Sequence, residues 1–324
     1  MSGGDTVMGR VRHLTLDASN VTILADNHGL LAAPNNGLRP QDGAKGVIEG
    51  CHVIGTVTGT NTGGIVGVGS NEAGSVIVGC SIRPPEGTPV CVRGTNAGGI
   101  AGSIQHTGVW YCVCHGNVDN ASDGCGGVVS TAFGTGQVLG CVMAGDVAGG
   151  TMGGGIVGAT IGSGQLIDGC VMHGAVTGDG NGGLCGGWAG IGTISNSYTT
   201  GATGADCGAL VGNVAAQATT RLTVAQCYAA GTVDDAAATV HTVQEDGTLT
   251  LSEVHAADVD NPIQAGSSSD VLGALTLLDS STPGLWTGFE ANRWLAVAGE
   301  PPLLRAFQNS RRLVIEGLNL YATE

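Results

Sequence analysis

The chain has 324 residues, 60 of them glycine, with 3% aromatic and 11% charged side chains against 42% hydrophobic ones. That mixture excludes an ordinary globular core, which needs more large apolar residues, and a disordered chain, which cannot carry so much Val, Ile, Leu and Ala. A formal charge of −15, with Lys45 the single lysine beside ten arginines, opposes phosphate backbones and anionic membranes, and no apolar run reaches the ~18 residues of a membrane helix; neither nucleic-acid binding nor membrane insertion is expected.

Residues 1–45 open with "MSGGDTVMGRVRHLTLDASN", which lacks the continuous apolar run of a signal peptide. Cytoplasmic synthesis with incorporation into a particle, or surface display by a non-standard export route, is the expectation. Eleven cysteines, an odd number, and a reducing compartment agree with each other. "HLTLDASNVTIL" reads as a strand and "HGLLAAPNNG" as a degenerate first coil, together an N-terminal cap.

Residues 46–261 form an internal repeat. Its first landmark is Cys51, Cys80, Cys112, Cys141, Cys170, Ser197, Cys227 and Val254, spaced 29, 32, 29, 29, 27, 30 and 27 residues apart. Three residues before each stands an apolar side chain: Ile48, Ile77, Val109, Val138, Ile167, Ile194, Val224 and Leu251. A second landmark falls in the other half of each unit, as "GGIVG" at 63–67 and 154–158, "GGIAG" at 98–102 and "GGLCG" at 182–186. Short β-branched runs flanked by glycine predict buried strands. A unit of this size cannot bury its own apolar side, whereas stacked units with parallel strands about 4.8 Å apart bury a continuous column. The fold class predicted is therefore all-β, a parallel β-solenoid of about eight coils of ~28 residues, roughly 40 Å along its axis.

In such a stack each position lies on its own repeat. The cysteine positions then form an inward structural core ladder of small apolar groups, with Ser197 and Val254 as substitutes. The Gly-Gly pairs are expected at corners, for positive φ or close backbone approach. "SIRPPEGTPVCVRGTNA" at 81–97 carries three prolines and predicts a protruding loop. Near 236–248 the glycines thin out, as at the end of an array.

"AQCYAAGTVDD" at 225–235, "ISNSYTTGATG" at 194–204 and the recurring "GGIVG" resemble the GLUG repeat, found in bacterial surface proteins, adhesin-like proteins and appendages of secreted hydrolases. "GLWTGFEANRWLAVAGEPPLLRAF" at 284–307 is similar to the closing segment that follows such arrays. The resemblance covers roughly residues 46–307 and implies the architecture; it carries no catalytic residues. Residues 262–324 leave the repeat and are expected to cap the last coil or mediate assembly.

The sequence offers candidates for four kinds of site. Polysaccharide cleavage on a β-helix needs a carboxylate pair, and Asp119, Asp234 and Asp260 share a slot after the ladder, with turn-capping the competing role. Calcium needs clustered oxygens; Asp119, Asp123 and Asp179 lie in "VDNASDG" and "TGDGNGG". Trp188 and Trp110 are the candidates for stacking on a glycan, Trp188 on the reading that it faces solvent at a corner. His115 and His173 share a coil position, separated by Ala144, and are expected at the surface.

The function expected is a non-enzymatic structural or adhesive β-solenoid, a component of a cell surface or of a viral or phage particle. Its partners are proteins of an assembly or a surface glycan, and a homo-oligomer such as a trimer is expected. No cofactor is expected beyond structural calcium. The alternative is a glycan-binding or polysaccharide-cleaving β-helix that uses turn carboxylates.

Overall fold

A computed structural model describes residues 10–32, 46–69, 75–120, 124–204, 206–216, 219–231, 238–256, 263–266, 271–277, 294–297 and 300–304. Within them the chain is an all-β parallel solenoid of about seven turns, and no helix is present. One face shows the winding clearly. Val47, Val76, Gly108, Gln137, Leu166, Thr193, Thr223 and Thr250 pair rung on rung in parallel register. Arg10–Arg12 adds a rung before them and Val271–Leu277 one after, so parallel pairing continues past residue 261.

The next residue along each of these rungs points inward. Ile48, Ile77, Val109, Val138, Ile167, Ile194, Val224 and Leu251 make the predicted apolar column, and from Ile77 to Leu251 each is buried. Beside it runs the ladder Cys51, Cys80, Cys112, Cys141, Cys170, Ser197, Cys227 and Val254, every member wholly buried. Its thiols do more than fill space. Cys141 Sγ lies 3.4 Å from the Val109 carbonyl one coil back and 3.5 Å from the Leu139 carbonyl of its own coil. Cys112, Cys170 and Cys227 repeat the arrangement. Ser197 keeps it with oxygen: its hydroxyl donates to the Ser195 carbonyl at 2.6 Å and accepts from the Cys170 amide at 3.0 Å. From Cys51 to Cys227 the slot selects a small side chain with a donor, which is why Ser197 can stand in for cysteine there.

The residue just before the ladder turns the corner in the left-handed region. His13, Gly50, Gly79, Tyr111, Gly140, Gly169, Asn196, Gln226 and Glu253 all have φ between 47° and 66°. A second corner of the same kind holds Asn27, Asn61, Asn96, Gly124, Met152 and Gly180. Its asparagines chain their amides, Asn96 to Asn61 and Asn61 to Asn27, each at 2.9 Å. The Gly-Gly pairs play a different part from the positive-φ role considered for them. None of Gly98, Gly126, Gly154 and Gly182 has a positive φ; they bridge one another rung to rung. A Cβ on Gly126 or Gly154 would collide with the Val129 or Val157 carbonyl of its own coil and with the next coil's backbone. The pairs serve close approach alone.

Within 81–97 only the stretch 84–89 leaves the wall, between the paired strands Ser81–Arg83 and Val90–Arg93. Glu86 to Pro89 are exposed, and the Thr88 amide donates to the Pro85 carbonyl at 3.2 Å. After the last parallel rung the chain changes character: Trp294–Val297 and Glu300–Leu304 pair with each other as an antiparallel hairpin.

Candidate interaction face

Immediately after the ladder comes a second stack of strands. His52, Ser81, Val113, Val142, Val171, Tyr198, Tyr228 and His255 follow one another in continuous parallel register. Strand alternation sends them outward, because Cys112 and Cys114, or Cys141 and Met143, on either side point into the core. Val113, Val142, Val171, Tyr198 and Tyr228 are nevertheless at most 1% exposed, and none belongs to the core cluster. Something other than the core buries them. Trp294 of the hairpin, itself 2% exposed, lies against Tyr198 with ring centroids 5.5 Å apart.

Aromatic and imidazole rings gather on this face. His173 meets the Tyr198 ring edge-on at 6.1 Å, and Tyr228 packs against His255 at 6.4 Å. The Nδ1 of His173 is 2.8 Å from the Thr200 hydroxyl. Burial pushes His173 down to about 4. His115 also falls to about 4, chiefly by burial and then through the charges of Arg83 and His52. Both histidines are half-buried rather than surface groups, and both are neutral imidazoles near pH 7.

The other sequence-derived candidates are dispersed. Trp188 is not a solvent-facing corner residue: it is 1% exposed within the core cluster, on a rung between Thr160 and Val214. Gly192 gives its indole room, since a Cβ there would lie 2.6 Å from Cζ2. Trp110 does face outward, half-buried, its indole folded over Gly108 so that a Cβ on that glycine would lie 2.6 Å from Cε2. Exposed Tyr111 follows it, with its ring over Gly140.

Asp119 is bound to Arg93, Nε to Oδ2 3.0 Å, and its neighbours on adjacent rungs are Arg93 and Ala148, so no carboxylate lies beside it in the stack. Asp234, Asp260 and Asp123 lie outside the described residues. Asp179 pairs with Thr151, two coils and so about 10 Å along the axis from Asp119; the two do not share a turn. Among the described residues no three His, Cys, Asp or Glu side chains are grouped to hold a metal ion.

All eleven cysteines are buried and unpaired. Burial pushes the Cys185 and Cys227 thiols up to about 12 and those of Cys112 and Cys141 well above the usual range. They are packing groups, not nucleophiles.

The apolar character of the outer row is legible in the sequence; its cover is not. "CV", "CV", "CV", "SY" and "CY" at 112, 141, 170, 197 and 227 place an apolar residue in an outward slot five times running, where the earlier coils have His52 and Ser81. Comparison with family models, curated proteins and solved structures finds no match.

Proposed function

We propose that the chain is a non-enzymatic structural or adhesive element, a stiff β-solenoid rod that works in a cell-surface or viral or phage particle assembly. What supports the reading is how the repeat spends its slots. From Cys51 to Val254 the same positions are filled by size, hydrogen-bonding reach and backbone clearance, and the chemically versatile side chains are drawn into stacking. Thiols fill the ladder, Trp188 fills the core, and Tyr198 and Tyr228 lie under cover. The GLUG-like motifs point the same way, to surface and adhesin-like proteins.

A second reading, glycan contact, is favoured by one observation: Trp110 and Tyr111 lay neighbouring rings over Gly108 and Gly140 on the outside of the wall, and aromatic rings are the usual platform for apolar ligand faces. One experiment separates the readings. The full chain is incubated with a panel of neutral and acidic polysaccharides, and reducing-end release and retention are both measured. No release together with a rod-shaped particle in small-angle scattering supports the structural role. Release that disappears in Asp119→Asn overturns it in favour of the enzyme, and retention abolished by Trp110→Ala assigns the adhesive ligand to a glycan.

A further inference from the structure

The outward row on the second face changes chemistry along the rod. It is polar at His52 and Ser81, apolar at Val113, Val142, Val171, Tyr198 and Tyr228, and returns to histidine at His255. The apolar part spans four rung spacings, about 19 Å. β-Branched and aromatic residues in consecutive rungs of a parallel sheet make the kind of face that pairs with a copy of itself when bare. In this chain it is not bare, since each of the five is at most 1% exposed.

The described residue seated on the row is Trp294. The last parallel rung on this face reaches Thr276, beyond Tyr198 by way of Tyr228 and His255. Trp294 nonetheless meets Tyr198. Trp294 thus lies three rungs, about 14 Å, behind the Thr276 rung along the direction in which the coils advance. The hairpin that carries Trp294 pairs internally and antiparallel, and so adds no rung to the solenoid. It contributes cover rather than continuation.

We propose that the strand pair Trp294–Val297 and Glu300–Leu304 is a strap on a self-association face: its tryptophan covers Tyr198 in an apolar outer row, and lifting it lets two copies pair through that row, from Val113 to Tyr228. At Tyr198 the occupant in the folded chain is this chain's own Trp294, as the ring contact shows. The net charge of −15 resists pairing at low ionic strength and is screened at 0.15 M salt, where the Debye length is about 8 Å. The inference stands on packing and does not depend on the structural or adhesive reading.

The test uses the full chain carrying Trp294→Ala, alone and combined with Val142→Asp, which puts a charge in the middle of the row. Light scattering across a hundredfold concentration range at 0.15 M salt gives the mass, second-derivative absorbance reports tyrosine exposure, and far-UV circular dichroism reports the coils. Trp294→Ala is expected to keep the β spectrum, expose tyrosine and at least double the mass of the unsubstituted chain at the highest concentration. Val142→Asp on that background is expected to return the mass to the starting value. An unchanged mass and tyrosine signal overturns the proposal. So does loss of the β spectrum in Trp294→Ala, because a strap leaves the coils standing, and so does association that Val142→Asp fails to reverse.

Discussion

Replacing Cys141 by serine, alanine and valine tests what the ladder requires. Cys141 is wholly buried, with its thiol between two carbonyls at 3.4 and 3.5 Å and the Cys112 amide 3.5 Å from its sulfur. Serine keeps a donor and an acceptor in the same place, as Ser197 does two coils on. The cost of burying a hydroxyl is then offset by its hydrogen bonds, each worth about 1 kcal/mol net, and Cys141→Ser changes stability by less than about 1 kcal/mol. Alanine removes one heavy atom from a closed site and costs about 1–1.5 kcal/mol, comparable to a deleted methylene. Valine adds a branch between Cys112 and Cys170 and costs about 1–3 kcal/mol by overpacking; the natural Val254 sits at the end of the ladder, where the register shifts. The expected order of stability is therefore Cys, Ser, Ala, Val. Denaturant titration followed by circular dichroism measures it, with hydrogen exchange at the Cys112 and Cys170 rungs to localise the loss in a repeat array that need not unfold in one step. A valine variant as stable as the parent, with serine the least stable, would refute the argument that hydrogen bonding selects the residue and restore a purely apolar ladder.

Three further outcomes are expected. Gly79→Ala costs about 1 kcal/mol, since φ is 62° and the nearest atom to a new Cβ is 3.9 Å away, so only left-handed strain is felt; Gly154→Ala, whose Cβ meets backbone on two coils, costs several-fold more, and a pair of equal midpoints would contradict the two roles given to glycine. Stability falls on acidification: His115 and His173 have folded pKa values near 4 against 6.5, so the unfolded chain binds the extra protons, their contribution is whole above pH 6.5 and is lost as pH drops towards 4. At about 1.4 kcal/mol per pKa unit the loss is about 3 kcal/mol for each histidine, read as a melting temperature that drops across this window and drops less in His173→Gln. Trp188→Ala costs about 3–5 kcal/mol as a core deletion and leaves retention on any glycan surface unchanged once folded protein is compared; loss of retention alone would return Trp188 to the surface.

Much of the rod is readable in the sequence. The period of 27–32 residues sets which positions stack, and the cysteine slot with the apolar residue three before it marks two inward columns, because every rung repeats the same local problem. The positive-φ corner was not readable in this way: Gly79 and Gly140 share it with Tyr111, Gln226 and Glu253, so composition there varies while geometry does not. Asn196 is fixed in that corner by the Asp168 carboxylate of the coil before, at 2.8 Å, a pairing that spacing alone does not single out. Trp188 looked like a solvent-facing ring because the neighbouring repeats have small residues after "GGIVG"; in three dimensions Thr160 and Val214 flank it and Gly192 makes the space.

What the sequence by itself determined is the repeat: a parallel solenoid with inward ladders, since rung-to-rung contacts join residues one period apart and the same choice recurs in every coil. What the tertiary structure alone decided is the outer surface. Whether an outward valine or tyrosine faces water or cover depends on a residue far away in the chain, and Trp294 reaches Tyr198 across 96 positions. A repeat cannot encode a contact that happens once.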